Sequence, residues 1–289
     1  MKTFACVLLM IFGLQNPRLT AQESAPTVPT AVQWTLSAAP PLQRAVIKSV
    51  FMLYCRNSGM KGTGFLLTSG LVVTNNHVVE GCTAGEMLAD PLGQQFGFDK
   101  MATDAAVDLA LLHPSKHLAG GLELGSDEDP ELGTEVNTWG FPLTYNGPAP
   151  LLSIGYIAGF VKNGADGHEV KHVVVNGAFN PGNSGGPLVK WKDNKVIGVV
   201  NAKFHLYPRY VKDIITVLNK AKSGFQYQAS DAQGNPAKDA QRKPISFSEA
   251  QIVGTVLEQF YNTTQVMIGE AISVSELRAF LKKKQAEVQ

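Results

Sequence analysis

A serine stands in Asn180-Pro181-Gly182-Asn183-Ser184-Gly185-Gly186-Pro187, with glycine on both sides. Glycines allow backbone angles closed to other residues, so a tight turn here can present a hydroxyl beside two backbone N–H groups and let a substrate carbonyl approach closely. A serine hydroxyl alone is a poor nucleophile and needs a base, and the base needs a group to fix it. Among six histidines, His77 lies in Thr74-Asn75-Asn76-His77-Val78-Val79, directly after the apolar run Leu71–Val73. Asp108 lies in Val107-Asp108-Leu109-Ala110-Leu111-Leu112. A carboxylate in such surroundings requires a partner, because burying it unpaired is costly. Nucleophilic acyl transfer is the chemistry that these residue types could carry.

Other patterns compete for attention and lose on context. His168-Glu169-Val170-Lys171-His172 matches a zinc-peptidase pattern that needs both histidines on one helix face. Here a Gly-rich turn precedes it and Val173–Val175 follow, which predicts a strand, where residues four apart are about 13 Å apart and cannot share one zinc. Gly182-Asn183-Ser184-Gly185-Gly186 also fits the nucleophile elbow of α/β-hydrolases, but that arrangement needs a helix after the serine and then an acid and a histidine. The one later histidine is His205, and Pro187–Val189 has strand character. Asp104 lacks a following apolar strand and is expected in a solvated turn, and His113 and His117 are expected to face solvent. Asn262-Thr263-Thr264 is a glycosylation sequon. No metal or cofactor is called for.

The elements that must hold these residues are short and β-rich: Ala45–Cys55, Gly64–Leu67, Leu71–Thr74, Leu109–Leu112, Glu135–Trp139, Ser153–Val161, His172–Val175, Pro187–Val189 and Val196–Asn201. Closely spaced strands without long helices between them predict an antiparallel all-β architecture with minor helices. After Ala202 the pattern changes. Val211, Ile214, Ile215 and Leu218 predict a helix within Tyr207–Lys222. A polar loop over 223–244 leads to the capping signal Ser246-Phe247-Ser248-Glu249 and a second helix through Ile252, Val256, Leu257 and Phe260. Gln265–Ile272 returns to β-type residues, and Ser273–Lys284 reads as a terminal helix. No internal repeat is expected.

Gly62-Thr63-Gly64-Phe65, Thr74 through Val79, Asp108-Leu109-Ala110 and Asn180 through Pro187, in that order, resemble the trypsin-like serine peptidases, above all the HtrA-type branch. The resemblance runs over about residues 45–202 and resumes near Ile268–Leu277. It implies two antiparallel six-stranded β-barrels, the first over about 42–130 and the second over about 131–285, with a helical insertion at 203–264. It makes Ser184 the nucleophile, His77 the proton shuttle, Asp108 the group that fixes the imidazole, and the N–H groups of Gly182 and Ser184 the oxyanion hole. No PDZ-like segment follows in this chain, a departure from that branch. Asn183 stands where the digestive enzymes carry an aspartate for a new N-terminus, so activity without a clip at the barrel is expected. Ala178 and the strand Val199-Val200-Asn201-Ala202 are the expected substrate-binding residues. With no acid among them, cleavage after small or medium aliphatic residues is expected. The insertion, starting at the mouth of that pocket, is expected to act as a lid or partner site. A catalytically silent binding module on the same fold is the alternative.

With 289 residues, 44% hydrophobic and 17% charged, the chain can fill a large core, and its net charge of +1 offers no basic face for nucleic acid. Lys2, the apolar run Phe4–Leu14 and the ending Leu19-Thr20-Ala21 predict a signal peptide over 1–21, cut after Ala21. That run is shorter than the roughly 20 residues needed to span a bilayer, and no stable membrane span is expected. A secreted or periplasmic protein follows, acting on protein or peptide substrates. Residues 22–41, rich in Ala, Pro, Thr and Ser, are expected to be a flexible tether. Cys6 would leave with the signal peptide, so Cys55 and Cys82 form an even pair expected to be disulfide-bonded in an oxidising compartment.

Overall fold

A computed structural model of the protein describes residues 30–55, 59–82, 87–89, 95–143, 145–163, 169–201, 209–231, 233–263 and 267–288. The expected signal peptide and its cut site lie outside the described residues. The described chain opens in helix α1 (Ala31–Ala38), started by a capping box in which Thr30 Oγ1 accepts from the Gln33 N–H and the Gln33 side chain accepts from the Thr30 N–H. Helix α2 (Pro41–Ser49) has proline at its start, where a missing N–H leaves no gap. Val32, Ala39, Gln43, Val46 and Ile47 are buried.

Two expectations are corrected here. The segment 22–41 is not a tether throughout, and the strand expected over Ala45–Cys55 is helix as far as Ser49. The β-branched Val46, Ile47 and Val50 favour a strand locally. With Gln43 they also fall at i, i+3, i+4 and i+7, one helix face, and burial of that face decided the outcome. Gln43 joins the rest of the fold through its amide: Nε2 donates to Asn194 Oδ1 at 3.0 Å and Oε1 accepts from Trp139 Nε1 at 2.8 Å.

The N-terminal half contains β1 (Val50–Tyr54), β2 (Lys61–Leu66), β3 (Val72–Thr74), the single turn α3 (Asn76–Val79), β4 (Met87–Ala89), β5 (Gln95–Phe96), β6 (Phe98–Asp104) and β7 (Leu109–Pro114). They form one antiparallel sheet in the order β5-β4-β1-β2-β3-β7-β6. It has seven strands where six were expected, and β4 to β6 carry too few apolar residues in alternation to be read from sequence. The C-terminal half contains β8 (Glu135–Gly140), β9 (Leu151–Asn163), β10 (Val170–Asn176), β11 (Pro187–Lys190) and β12 (Val196–Asn201).

An excursion follows β12: α4 (Arg209–Lys220), β13 (Gln226–Gln228), β14 (Ser246–Ser248) and α5 (Glu249–Thr263). The chain then returns as β15 (Gly269–Ser273) and ends in α6 (Val274–Val288). The strands β10-β15-β12-β11-β8-β9 close into a six-stranded barrel, in which β15 pairs with both β10 and β12. The excursion therefore leaves and re-enters the barrel between two neighbouring strands.

Apolar residues separate into a cluster inside the barrel (Val136, Ile157, Val173, Leu188, Val200), one in the N-terminal sheet (Phe51, Leu66, Val72, Ala110), and one that joins both halves. The joining cluster takes Ile47 from α2, Phe65 and Leu111 from the first sheet, Val199 and Ile272 from the barrel, and Leu277 and Phe280 from α6. Burial of that shared face is what sets the two halves against each other.

The loop between β13 and β14 holds a repeat that composition hid, correcting the expectation of none. Asp231-Ala232-Gln233-Gly234-Asn235-Pro236 recurs as Asp239-Ala240-Gln241-Arg242-Lys243-Pro244. Asp231 Oδ1 accepts from the N–H groups of Gln233 and Asn235, and Asp239 Oδ1 accepts from those of Gln241 and Lys243. Gly234 and Arg242 share the left-handed conformation, at φ +83° and +62°. The turns stack through a ring of bonds from Ala229 N–H to Ile245 O, from Ile245 N–H to Ala237 O and from Ala237 N–H to Ala229 O.

Candidate active site

His77 lies on α3, which follows β3 with one extended residue, Asn75, between them. The turn before β7 brings Asp108 opposite. Asp108 Oδ2 lies 2.8 Å from His77 Nδ1, and its Oδ1 accepts from the His77 backbone N–H at 3.0 Å. The Asp108 carbonyl is held as well, by the Asn76 N–H at 3.1 Å and by Asn75 Nδ2 at 3.0 Å. Contacts to both carboxylate oxygens and to the carbonyl fix Asp108 relative to His77, and Asp108 occupies a left-handed conformation, φ +55°, while making them.

The serine turn hangs on the strand that precedes this pair. Thr63, fully buried on β2, donates its N–H to the Ser184 carbonyl at 2.9 Å and its hydroxyl to the Gly182 carbonyl at 2.7 Å. The same hydroxyl accepts from the Phe141 N–H at 3.0 Å, and the Thr63 carbonyl accepts from the Thr74 hydroxyl, at the end of β3, at 2.7 Å. Gly185 has φ +84°, and a Cβ there would stand 2.1 Å from the Thr63 carbonyl oxygen and from Thr74 Oγ1. Only glycine lets the turn close on β2 and β3. Gly182, at φ +100°, is likewise enclosed, with a Cβ position 2.4 Å from the Phe141 carbonyl oxygen. Ser184 itself is 6% exposed and Asn183 1%. The buried Asn183 amide lies against Gly140, whose Cβ position would be 2.7 Å from Asn183 Oδ1.

The pocket residues fare unevenly. Ala178 is half-buried ahead of the serine turn. The side chains of Val199 and Val200 are fully buried in the cores on the two faces of β12. Val200 also uses its N–H on the Gly186 carbonyl and its carbonyl on the Gly185 N–H. Neither valine side chain is a pocket wall, a correction to the expectation: both fill the cores, and it is the Val200 backbone that holds the turn. Asn201 turns its Nδ2 toward Asp108 Oδ2, 3.4 Å away, and so belongs with the acid. Ala202 lies outside the described residues.

Cys55 and Cys82 are disulfide-bonded, tying the end of β1 to the residues just after α3. His172 is a buried strand residue whose ring meets the Val170 carbonyl, and His168 lies outside the described residues. His113 is paired with Asp99 at 2.7 Å at the surface, while His117 is exposed. Asp104 departs from the expected solvated turn: it is mostly buried and paired with Lys283 of α6. Among the described residues, no group of three His, Cys, Asp or Glu is placed to hold a metal, and no helix is long and apolar enough to cross a membrane.

Thr63, Thr74 and Gly185 were missed as functional residues. All three fall within the quoted motifs, but motif membership does not say which residues bond to which.

Residues 62–199 match the family described as Trypsin-like peptidase domain. An uncharacterized protein, y4bJ, of Sinorhizobium fredii is 33% identical over 147 residues, covering 49% of this chain and 22% of that protein. A probable periplasmic serine endoprotease, DegP-like, of Halomonas elongata is 33% identical over 140 residues, covering 48% of this chain and 28% of that protein. The chain thus spans less than a third of the length of these relatives. Among solved structures, the active form of the Rv3671c protease from M. tuberculosis superposes with a TM-score of 0.55 at 18% identity, over 96% of this chain and 94% of that one. At that identity the likeness concerns the fold.

Proposed function

We propose that this protein is an exported serine endopeptidase that hydrolyses peptide bonds through Ser184, His77 and Asp108. The observation that carries the reading is the double contact of Asp108 with His77, beside the strands β2 and β3 of the same sheet, to which the serine turn is clamped through Thr63 and Gly185. In the proposed reaction Ser184 Oγ attacks the scissile carbonyl carbon as His77 Nε2 takes the hydroxyl proton. Asp108 keeps the Nδ1–H side of the ring occupied and stabilises the imidazolium. The oxyanion is received by the N–H groups of Gly182 and Ser184. Collapse breaks the C–N bond, the imidazolium gives its proton to the leaving amine, and water repeats the sequence on the acyl-enzyme.

Cleavage after small or medium aliphatic residues remains the proposed preference, supported by the small, uncharged Ala178, half-buried ahead of the serine turn. Secretion or a periplasmic location is supported by the leader-like residues 1–21 and by the description of the Halomonas relative. The insertion is proposed as the lid or partner-facing part. Tyr210, Ile214 and Val217 on α4 and Val253, Val256 and Phe260 on α5 remain exposed there, which supports a covering role.

The test is hydrolysis of unfolded casein by the purified protein beside Ser184→Ala, with cleavage sites read by mass spectrometry and Ser184 probed with a fluorophosphonate. Cleavage and labelling that vanish in Ser184→Ala are expected. A folded wild-type protein with neither would favour the silent binding module.

A further inference from the structure

We propose that Lys283, on the C-terminal helix α6, is a positioning residue for Asp108, acting through Asp104. The proposal rests on the triad reading above and extends it to the far end of the chain. Asp104 closes β6 and pairs in register with Leu109, the first residue of β7, so Asp104 and Asp108 flank one tight turn. Asp108 holds a left-handed backbone conformation there. For a residue other than glycine that conformation is strained and persists only where the surroundings hold it.

Besides the contacts of Asp108 with Asn75, Asn76 and His77, Asp104 braces the same turn with both carboxylate oxygens. Its Oδ1 accepts from the Ala106 N–H within the turn at 3.1 Å, and its Oδ2 accepts from Lys283 Nζ at 2.9 Å. The Asp104 side chain is 17% exposed and that of Lys283 66%, so the lysine reaches down from the helix surface to a carboxylate sunk between turn and helix. The Lys283 ammonium holds the Asp104 carboxyl below its ordinary value, in keeping with a formed pair.

Helix α6 is itself well anchored. Leu277, Phe280 and Leu281 are buried in the cluster that joins the two halves. Glu276 Oε1 accepts from the Lys171 N–H on β10 at 3.1 Å, and Arg278 Nε lies 2.6 Å from Asp127 Oδ1. Asp104, Ala106, Val107, Glu276, Phe280 and Lys283 line the cleft between turn and helix. A helix seated on the barrel thus delivers a cation to the turn that places the acid of the N-terminal sheet. An ordinary surface ion pair contributes little to stability and would leave catalysis alone; the two roles are separable by experiment.

Lys283→Met and Lys283→Arg are compared with wild type in the full protein. For Lys283→Met, kcat is expected to fall about tenfold with KM within twofold, because a small misplacement of a catalytic group acts on the transition state. The melting point is expected to stay within about 4 °C. Lys283→Arg keeps the cation and is expected to restore kcat. The low-field proton resonance of His77 Nδ1, which needs no turnover, is expected to weaken in Lys283→Met and return in Lys283→Arg.

Unchanged kcat and an unchanged Nδ1 resonance in Lys283→Met would overturn the proposal, as would a loss that arginine does not repair. If wild type shows no hydrolysis sensitive to Ser184→Ala, the triad reading fails, and the Nδ1 resonance still decides on Lys283.

Discussion

The backbone N–H of Thr63 donates to the carbonyl of Ser184 at 2.9 Å, while the hydroxyl of Thr63 donates to the carbonyl of Gly182. One buried residue of the N-terminal sheet therefore holds the serine turn of the C-terminal barrel at two points. Its own carbonyl is held by Thr74, next but two to His77.

Thr63→Val should expose this dependence. The methyl group leaves the Gly182 carbonyl and the Phe141 N–H without their partner, and each buried unsatisfied group costs about 1–3 kcal/mol, so a loss of roughly 2–6 kcal/mol is expected in urea unfolding. Fluorophosphonate labelling of Ser184 should slow on the order of a hundredfold. Thr63→Ser, which keeps the hydroxyl, should stay close to wild type in both. Equal behaviour of valine and serine would show that the hydroxyl does not hold the turn.

Asp108 offers a separation of charge from backbone. Asparagine tolerates the left-handed conformation, so Asp108→Asn is expected to fold and yet to lose about 10⁴-fold in kcat, because an amide no longer fixes the imidazole tautomer. Asp108→Ala should lose activity similarly and stability as well, by about 1–3 kcal/mol, since the His77 N–H then lacks its acceptor. Thermal melts of the two variants at neutral pH distinguish them; equal melting points would count against the backbone part of the argument.

The pair between Asp104 and Lys283 predicts a pH signature in stability. The folded state lowers the Asp104 pKa below 3.8, chiefly through the Lys283 hydrogen bond. That contribution is present in full above pH 3.8 and is lost as pH falls through the folded value. The folded state raises the Lys283 pKa above 10.5, again first through its hydrogen bond to Asp104. Its contribution is present below pH 10.5 and is lost as pH rises through the folded value. The difference in urea midpoint between wild type and Lys283→Met should be flat between about pH 5 and pH 9 and should close at both ends. A difference that persists unchanged at about pH 2 would refute the assignment.

The Cys55–Cys82 bridge spans a sequence separation of 27 residues and encloses β2, β3 and α3. Opening a loop of that length by Cys55→Ser with Cys82→Ser is expected to cost roughly 3–4 kcal/mol. Because Cys82 follows α3 closely, fluorophosphonate labelling should fall before the protein unfolds on addition of a dithiol. Labelling that survives until global unfolding would assign the bridge to stability alone.

What could be read from the chain alone is what local chemistry imposes. The glycines around Ser184, the lone carboxylate in the apolar run after Val107, and a histidine set just past a strand each violate local preference in a way that a site explains. The strands from Glu135 to Asn201 alternate or run apolar strongly enough to be found, and the two cysteines left after Cys6 could pair only with each other. Local pattern could not choose between helix and strand for Gln43 to Val50, because both periods fit the same residues. That choice depended on which face the rest of the protein would bury.

Nor could local pattern assign Val199, Val200 and Asn201. Their types suit a pocket, but which way a strand residue points is set by register, and pairing of β12 with β11 and β15 sends both valines into the cores and turns Asn201 to Asp108. The bond from Lys283 to Asp104 joins residues 179 positions apart. The sequence by itself singled out the candidate reacting groups and determined the β architecture and the disulfide partners, since these follow from residue type and spacing. Only the tertiary structure decided what holds the reacting groups in place, because hydrogen bonds between distant segments depend on how two sheets and a terminal helix bury a common apolar face.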